Sequence, residues 1–115
     1  MAQYMLLLRE DPSGWSKLSP DQIQKTVEKY MEWRNRSFVV GGKRLDSKTG
    51  RVMQKNDGNI NVTDGPFSES REVLGGYYTI EAKDFDHAVA LSMDHPHADV
   101  GTIEIREVMS MPQGD

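Results

Sequence analysis

The sequence has 115 residues, a formal net charge of −4 at neutral pH and no cysteine. This length predicts one domain over residues 1–115, and the acidic balance argues against nucleic-acid binding, which needs a basic face. The lack of cysteine excludes disulfides and thiolate chemistry and predicts a reducing, cytoplasmic location, and no apolar run reaches the roughly 18 residues that predict a membrane helix.

The first predicted element is a strand over residues 3–9. Apolar residues occupy both faces of this strand: Tyr4, Leu6 and Leu8 on one, Met5 and Leu7 on the other. A sheet covered on a single side would leave one of these faces in water. We therefore expect helices on one face of the sheet and a second copy of the chain on the other.

The next predicted element is a helix that begins at Pro20 and runs to about Arg36. Ser19 caps its first turn, proline fits the first helical position, and Gln22 completes a capping box. Helical spacing places one set of residues on a common face: Ile23, Val27, Tyr30, Met31 and Arg34. Lys25, Glu28 and Glu32 lie elsewhere on the helix.

Five further elements complete the predicted chain order. They are a strand from Phe38, a hairpin whose strands 51–55 and 59–63 flank Asn56-Asp57-Gly58, a strand over 76–82, a helix capped by Asp84, and a last strand over 101–109. Asp-Gly between two short runs is a strong hairpin signal. The order predicts an α+β fold, namely the ferredoxin-like split βαβ plan with an antiparallel sheet and an extra β-hairpin. The uncovered sheet face predicts a homodimer.

The most distinctive local pattern starts at Asp64. Gly65 precedes Pro66 and is therefore driven out of the α region. An aspartate at a turn usually bonds the N–H two residues on, and Pro66 has none. Asp64 must reach further or remain available to a ligand or a partner chain. The pair Gly75-Gly76 marks a bulge or a surface that another backbone or a ligand approaches closely.

Two hypotheses remain open for this segment. Its acidic and basic groups could bind a small polar ligand or transfer protons. Alternatively, Asp64 accepts backbone N–H groups and Arg71 pairs with an acid, which makes the loop a structural clamp. The candidate residues are Asp64, Gly65, Pro66, Phe67, Glu69, Arg71, Glu72, Gly75 and Gly76. No residue is assigned a catalytic role.

A resemblance to a known family rests on this segment. Residues 64–72, Asp-Gly-Pro-Phe-Ser-Glu-Ser-Arg-Glu, followed by Leu74-Gly75-Gly76-Tyr77-Tyr78, resemble the signature of the DGPF-type YCII-related proteins. The resemblance implies a dimeric α+β barrel and an accessory role beside extracytoplasmic-function sigma factors. Some members carry a proposed acid–base histidine on the first helix. Residues 21–36 contain no histidine here, so that role does not transfer.

The three histidines predict no metal site. Asp94-His95-Pro96-His97 is interpreted as a loop after the second helix, because proline favours an extended geometry that aims the two imidazoles apart. We expect His87 on the surface. No ligand triad has suitable spacing, and the glycine pairs lack the G-x-G-x-x-G pattern of a nucleotide cradle. We therefore predict neither a metal nor a cofactor.

Two functional hypotheses follow. The first is a dimeric small-molecule-binding or regulatory accessory module, with its pocket between the sheet and the helices. The alternative is a small lyase or isomerase that acts on a polar cyclic compound by carboxylate acid–base chemistry. The missing helix histidine favours the first, whereas a deep pocket with a carboxylate of raised pKa would favour the second. The aromatic residues that could line a pocket or pack a core are Tyr4, Tyr30, Tyr77, Tyr78, Trp15 and Trp33.

Overall fold

The computed structural model describes residues 1–66 and 71–110. The elements are β1 (Ala2–Glu10), α1 (Ser13–Ser16), α2 (Pro20–Arg34), β2 (Val39–Arg44), β3 (Gly50–Asn56), β4 (Asn59–Gly65), β5 (Val73–Ala82), α3 (Phe85–Ser92), a 3₁₀ turn (Pro96–Asp99) and β6 (Gly101–Glu107). No helix in the described ranges has the length and apolar character needed to cross a membrane.

Four of the strands form one antiparallel sheet in the order β2-β5-β1-β6. The first and last strands of the chain are therefore neighbours, and β5 lies between β1 and β2. This is the strand order of the split βαβ plan. The predicted α+β, ferredoxin-like fold is confirmed.

Alternation along β1 decides which sheet face is buried. Tyr4 lies opposite Ile80, and Leu6 lies opposite Tyr78. These side chains are buried against the helices, as the two-residue period of a strand requires. Trp33 of α2 is buried at the centre of this core. Its ring meets the Tyr78 ring edge-on, with 5.1 Å between the centroids.

Helix α2 begins where the capping box predicts. The Ser19 hydroxyl accepts the Gln22 N–H at 3.2 Å, and the Gln22 side-chain oxygen accepts the Ser19 N–H at 2.9 Å. Two of the orphan N–H groups of the first turn are thereby satisfied. The helix ends at Arg34, two residues earlier than predicted, with Asn35 at its C-cap.

The opposite sheet face has no cover from the described residues. Met5, Leu7 and Tyr77 are half-buried on it, and Arg9 pairs with Glu104 across neighbouring strands at 3.3 Å. Both faces of β1 are therefore apolar, as the sequence predicts, and one of them is open.

Strands β3 and β4 form a separate two-stranded sheet, called the arm below. Asp57 and Gly58 turn the chain with φ values of 51° and 82°. Both values lie in the left-handed region that a two-residue hairpin turn requires, so the Asp-Gly prediction is confirmed. The radius of gyration is 16.3 Å, whereas a compact chain of this length has about 13 Å. The molecule is therefore more extended than a compact domain.

Candidate functional site

A pocket of about 390 Å³ lies between α2 and the helix-covered face of the sheet. One wall is the α2 face that the sequence identifies: Ile23, Val27, Tyr30, Met31 and Arg34. The sheet contributes Leu8, Gly76 and Tyr78, the short helix α1 contributes Trp15, and β2 contributes Lys43 and Arg44. The volume falls in the range of small-molecule sites, about 300–1,000 Å³.

Two of the three basic residues that line this pocket have no anionic partner within the described ranges. Arg34 ends α2, and Lys43 lies near the end of the edge strand β2. Neither side chain takes part in an ion pair or hydrogen bond with a described residue. The pocket therefore has positive charge that is available to a ligand.

The third basic residue, Arg44, is held by the buried carboxylate of Glu10. Its guanidinium donates to both Glu10 oxygens and to the Gly75 carbonyl, the latter at 3.0 Å. Glu10 is only 1% exposed. The Trp15 ring lies over the guanidinium at 5.4 Å, within cation–π distance. These contacts fix Arg44 at the edge of the pocket.

The Tyr78 hydroxyl adds a neutral polar group to the pocket. Burial raises the pKa of this phenol, and the positive charges of Arg34 and Arg44 oppose the rise. The tyrosine therefore remains protonated at neutral pH. Its O–H is a donor that a bound anion can use.

Tyr30 connects the pocket to a buried histidine. Its hydroxyl lies 2.6 Å from His97 Nδ1, and His97 Nε2 lies 2.8 Å from the Arg9 carbonyl oxygen. Because that carbonyl can only accept, Nε2 carries the proton and Nδ1 accepts from Tyr30. Burial raises the pKa of Tyr30 and lowers the pKa of His97. Both groups are therefore neutral at pH 7.

His95 is buried beside this pair. Its Nδ1 accepts the His97 backbone N–H at 3.0 Å, and its ring packs edge-on against Trp33, with 4.5 Å between the centroids. Its Nε2 has no hydrogen-bond partner among the described residues. Burial lowers the pKa of His95 to about 4.

The interpretation of this segment as an extended loop is wrong. Pro96 begins a 3₁₀ turn rather than a polyproline stretch, and both His95 and His97 are buried. The turn packs under α2, where the ring of Tyr30 meets both imidazoles. The described ranges contain no group of three or more His, Cys, Asp or Glu side chains that could hold a metal ion.

The structure spreads the predicted motif residues over several places. Asp64 and Gly65 are the last residues of β4 rather than part of a loop, Pro66 follows them, and the Gly65–Pro66 bond is cis. The Asp64 side chain is 92% exposed, and its contact is Arg51 at 3.5 Å. This exposure gives the clamp hypothesis no buried acceptor at Asp64, and the N–H groups of residues 67–70 that it would use lie outside the described residues. Phe67 and Glu69 lie outside the described residues.

The other described charged residues of the motif, Arg71 and Glu72, are not part of the pocket lining. Glu72 accepts from the Thr102 hydroxyl at 3.2 Å, toward β6. Arg71 is exposed. Hydrogen bonds from Ser13 lower the pKa of Asp11, and the positive charge of Arg71 lowers it further. None of these residues lines the pocket.

The glycine pair is where another part of the chain approaches closely, as predicted. A Cβ on Gly75 would lie 2.6 Å from a Glu10 carboxylate oxygen and 2.8 Å from the Arg44 guanidinium. A Cβ on Gly76 would lie 3.0 Å from the Lys43 carbonyl oxygen. The first glycine leaves room for the ion pair, and the second lets β2 pack against β5.

Sequence reasoning missed most of the polar groups at this pocket. Lys43 and Arg44 lie on β2 and Glu10 lies on β1, and only the register of these strands with β5 brings them together. One local signal was present, because Arg34 ends an otherwise apolar helix face. A cation in that position indicates a face that does not lie wholly in the core.

An antiparallel sheet in this order, with helices on one face and a pocket beneath them, defines a ferredoxin-like α+β domain. The YCII-related domain family matches residues 2–112, and the chain belongs to that family.

Two further comparisons identify a protein of similar sequence and a solved structure of similar fold. An uncharacterised protein from Rhizobium meliloti (strain 1021) is 28% identical over 111 residues, covering 90% of this chain and 86% of that protein. The solved structure of 5-chloro-2-hydroxyhydroquinone dehydrochlorinase (TftG) from Burkholderia phenoliruptrix AC1100, in complex with 2,5-dihydroxybenzoquinone, is similar in fold. It has a TM-score of 0.50 at 10% identity and covers 98% of this chain and 99% of that one.

Proposed function

We propose that this protein binds a small, flat organic anion in the pocket between α2 and the sheet. One observation supports this above all: an aromatic and apolar lining is combined with Arg34 and Lys43, which have no anionic partner among the described residues. A ring would pack against Trp15 and Tyr30. Its acidic group would lie near the two cations.

The lining favours an anion over a neutral ring. No carboxylate lines the pocket within the described ranges, and the buried carboxylate of Glu10 is held by Arg44. A hydrogen bond to a charged group contributes about 1.5–3 kcal/mol. That range corresponds to a roughly ten- to hundred-fold preference for an anion over a neutral molecule of the same shape.

A matched pair of quinones tests this proposal by calorimetry. The ring found in the TftG structure, 2,5-dihydroxybenzoquinone, is acidic, whereas 2,5-dimethoxybenzoquinone has a similar shape and no acidic proton. We expect the acidic quinone to bind at least ten times more tightly. Arg34→Gln should remove most of that difference, and Lys25→Gln, an exposed change elsewhere on α2, should preserve it. Equal binding of the two quinones, or binding of neither, would reject the proposal.

A second candidate is a lyase or isomerase that acts on a cyclic compound in the same pocket. Tyr30 supports it, because this residue lines the pocket and its hydroxyl is hydrogen-bonded to a neutral imidazole. Such a pair can pass a proton between a ligand and the protein. The carboxylate version of this chemistry has less support, since Glu10 is paired with Arg44.

Tyr30→Phe separates the two candidates. For a binding protein, affinity for the acidic quinone should change by less than about threefold, because the anion is held mainly by charged donors. For an enzyme, turnover of a cyclic substrate should fall by roughly a hundredfold or more while binding persists.

We also propose that the open sheet face joins two copies of the chain. Met5, Leu7 and Tyr77 supply an apolar centre, and the Arg9–Glu104 pair supplies polar contacts beside it. Sedimentation showing a monomer at micromolar concentration would contradict this. The accessory role beside an extracytoplasmic-function sigma factor stays a prediction from the family resemblance.

A further inference from the structure

We propose that the arm packs face to face with the arm of a second copy of this chain. The arm hydrogen-bonds as a two-stranded sheet of its own, apart from the four-stranded sheet. An isolated two-stranded hairpin is at best marginally stable in water. A second apolar layer would supply the packing that one hairpin lacks.

One face of the arm has the side chains for such a layer. The register places three cross-strand pairs on this face: Arg51–Asp64, Met53–Val62 and Lys55–Ile60. Met53, Ile60 and Val62 are 65%, 60% and 57% exposed. Side chains of this size are seldom clustered in water without a partner.

Charge selects how two such faces meet. A two-fold axis along the length of the arm places β3 of one copy over β4 of the other. Each Arg51 then faces Asp64 of the second copy, and each Met53 faces Val62. An axis across the arm would instead bring Lys55 over Arg51, two like charges. The face is self-complementary in the first arrangement, so a second copy is the partner that its charges fit.

The arm contact is one part of a larger interface. Three apolar side chains per copy are far fewer than the roughly 20–30 residues that a stable interface uses on each side. The open sheet face around Leu7 and Tyr77 supplies the rest. The arm proposal is nevertheless tested separately from the sheet-face dimer, because the two surfaces can be changed independently.

Crosslinking tests the arm contact directly, because the natural chain contains no cysteine. Met53→Cys should be joined between two copies by a bifunctional maleimide that spans about 10 Å, the spacing of stacked sheets. Gln54→Cys, on the opposite face of the same strand, is the control. We expect at least a fivefold higher yield from Met53→Cys. Equal yields, or no crosslink in a protein that sedimentation shows to be dimeric, would overturn the arm contact alone.

A second pair of variants changes charge instead of adding a crosslink. Val62→Asp places a carboxylate at the centre of the proposed contact, whereas Asn61→Asp places the same charge on the other face. Sedimentation should show dimer dissociation at least tenfold stronger for Val62→Asp, with circular dichroism confirming that both variants fold. Equal dissociation constants would contradict the proposal, and Met53→Cys crosslinking decides the question if Val62→Asp fails to fold.

Discussion

Replacing Arg44 by glutamine should destabilise the protein far more than removing a surface arginine does. The guanidinium donates to both oxygens of Glu10, which is 1% exposed, and to the Gly75 carbonyl. Arg44→Gln shortens the side chain and removes its charge. The Glu10 carboxylate then stays in the interior without its counter-ion.

The size of this loss follows from burial on the two sides of the ion pair. Removing one partner of a buried pair costs about 3–5 kcal/mol, because the other charge remains desolvated. Arg44 is 49% exposed, so water can enter the space that the substitution opens. We therefore expect a loss of about 2–3 kcal/mol. For a domain of this length that corresponds to a fall in Tm of roughly 8–12 °C.

Urea unfolding of three variants tests this reasoning. Arg44→Gln should lose about 2–3 kcal/mol, and the double variant with Glu10→Gln should recover part of that loss, because the buried charge is then gone. Arg51→Gln removes the exposed pair with Asp64 and should cost less than about 0.5 kcal/mol. If Arg44→Gln is as stable as Arg51→Gln, or if Glu10→Gln brings no recovery, the buried pair does not contribute as argued.

Three further outcomes can be measured on the same protein. Asp64→Ala should change the free energy of unfolding by less than about 0.5 kcal/mol, because an exposed carboxylate leaves no buried donor orphaned; a loss above 1 kcal/mol would restore the clamp. Gly75→Ala should lower Tm in thermal melts, because its methyl group would meet Glu10, whereas Gly41→Ala has no atom within 4 Å to meet and should not. Stability should also fall as the pH drops from 6.5 toward about 4, because the lowered pKa values of His95 and His97 mean that unfolding takes up protons there. The slope should be up to about 1.4 kcal/mol per pH unit for each histidine, and urea curves that coincide at pH 6.5 and pH 5 would refute it.

Local chemistry made the elements of this fold predictable. The capping box at Ser19 and the Asp57-Gly58 turn each involve residues within three positions of each other in the chain, and the structure has both as predicted. Alternation along β1 likewise identifies the buried face. Such features need no knowledge of distant contacts, because each is decided within one turn or one strand.

The histidines show where local reasoning fails. Asp94-His95-Pro96-His97 is polar and contains proline, which is typical of a surface loop. Its burial depends on Trp33 and Tyr30, which lie more than sixty residues earlier in the sequence and supply ring contacts and a hydrogen bond. Tertiary packing therefore overrides the local preference.

Only the helical wall of the pocket could be predicted from the sequence, because the other wall also depends on contacts between distant parts of the chain. The helical wall follows from the spacing on α2. The opposite wall depends on strand register. The register pairs Gly76 of β5 with Arg44 on one side and with Leu8 on the other. Register is decided by the whole sheet. The sequence alone therefore indicated a pocket between sheet and helices, but not the basic side chains that β2 contributes to it.

The positions of the two tryptophans give each an independent spectroscopic use. Trp33 is enclosed by the rings of Phe38, Tyr78 and His95, so its emission should lie at short wavelength and report on the integrity of the core. Trp15 lines the pocket, so its emission should respond to a bound ring while that of Trp33 stays constant. In a Trp33→Phe variant the remaining signal belongs to the pocket, and occupancy can then be followed in real time without attaching a label.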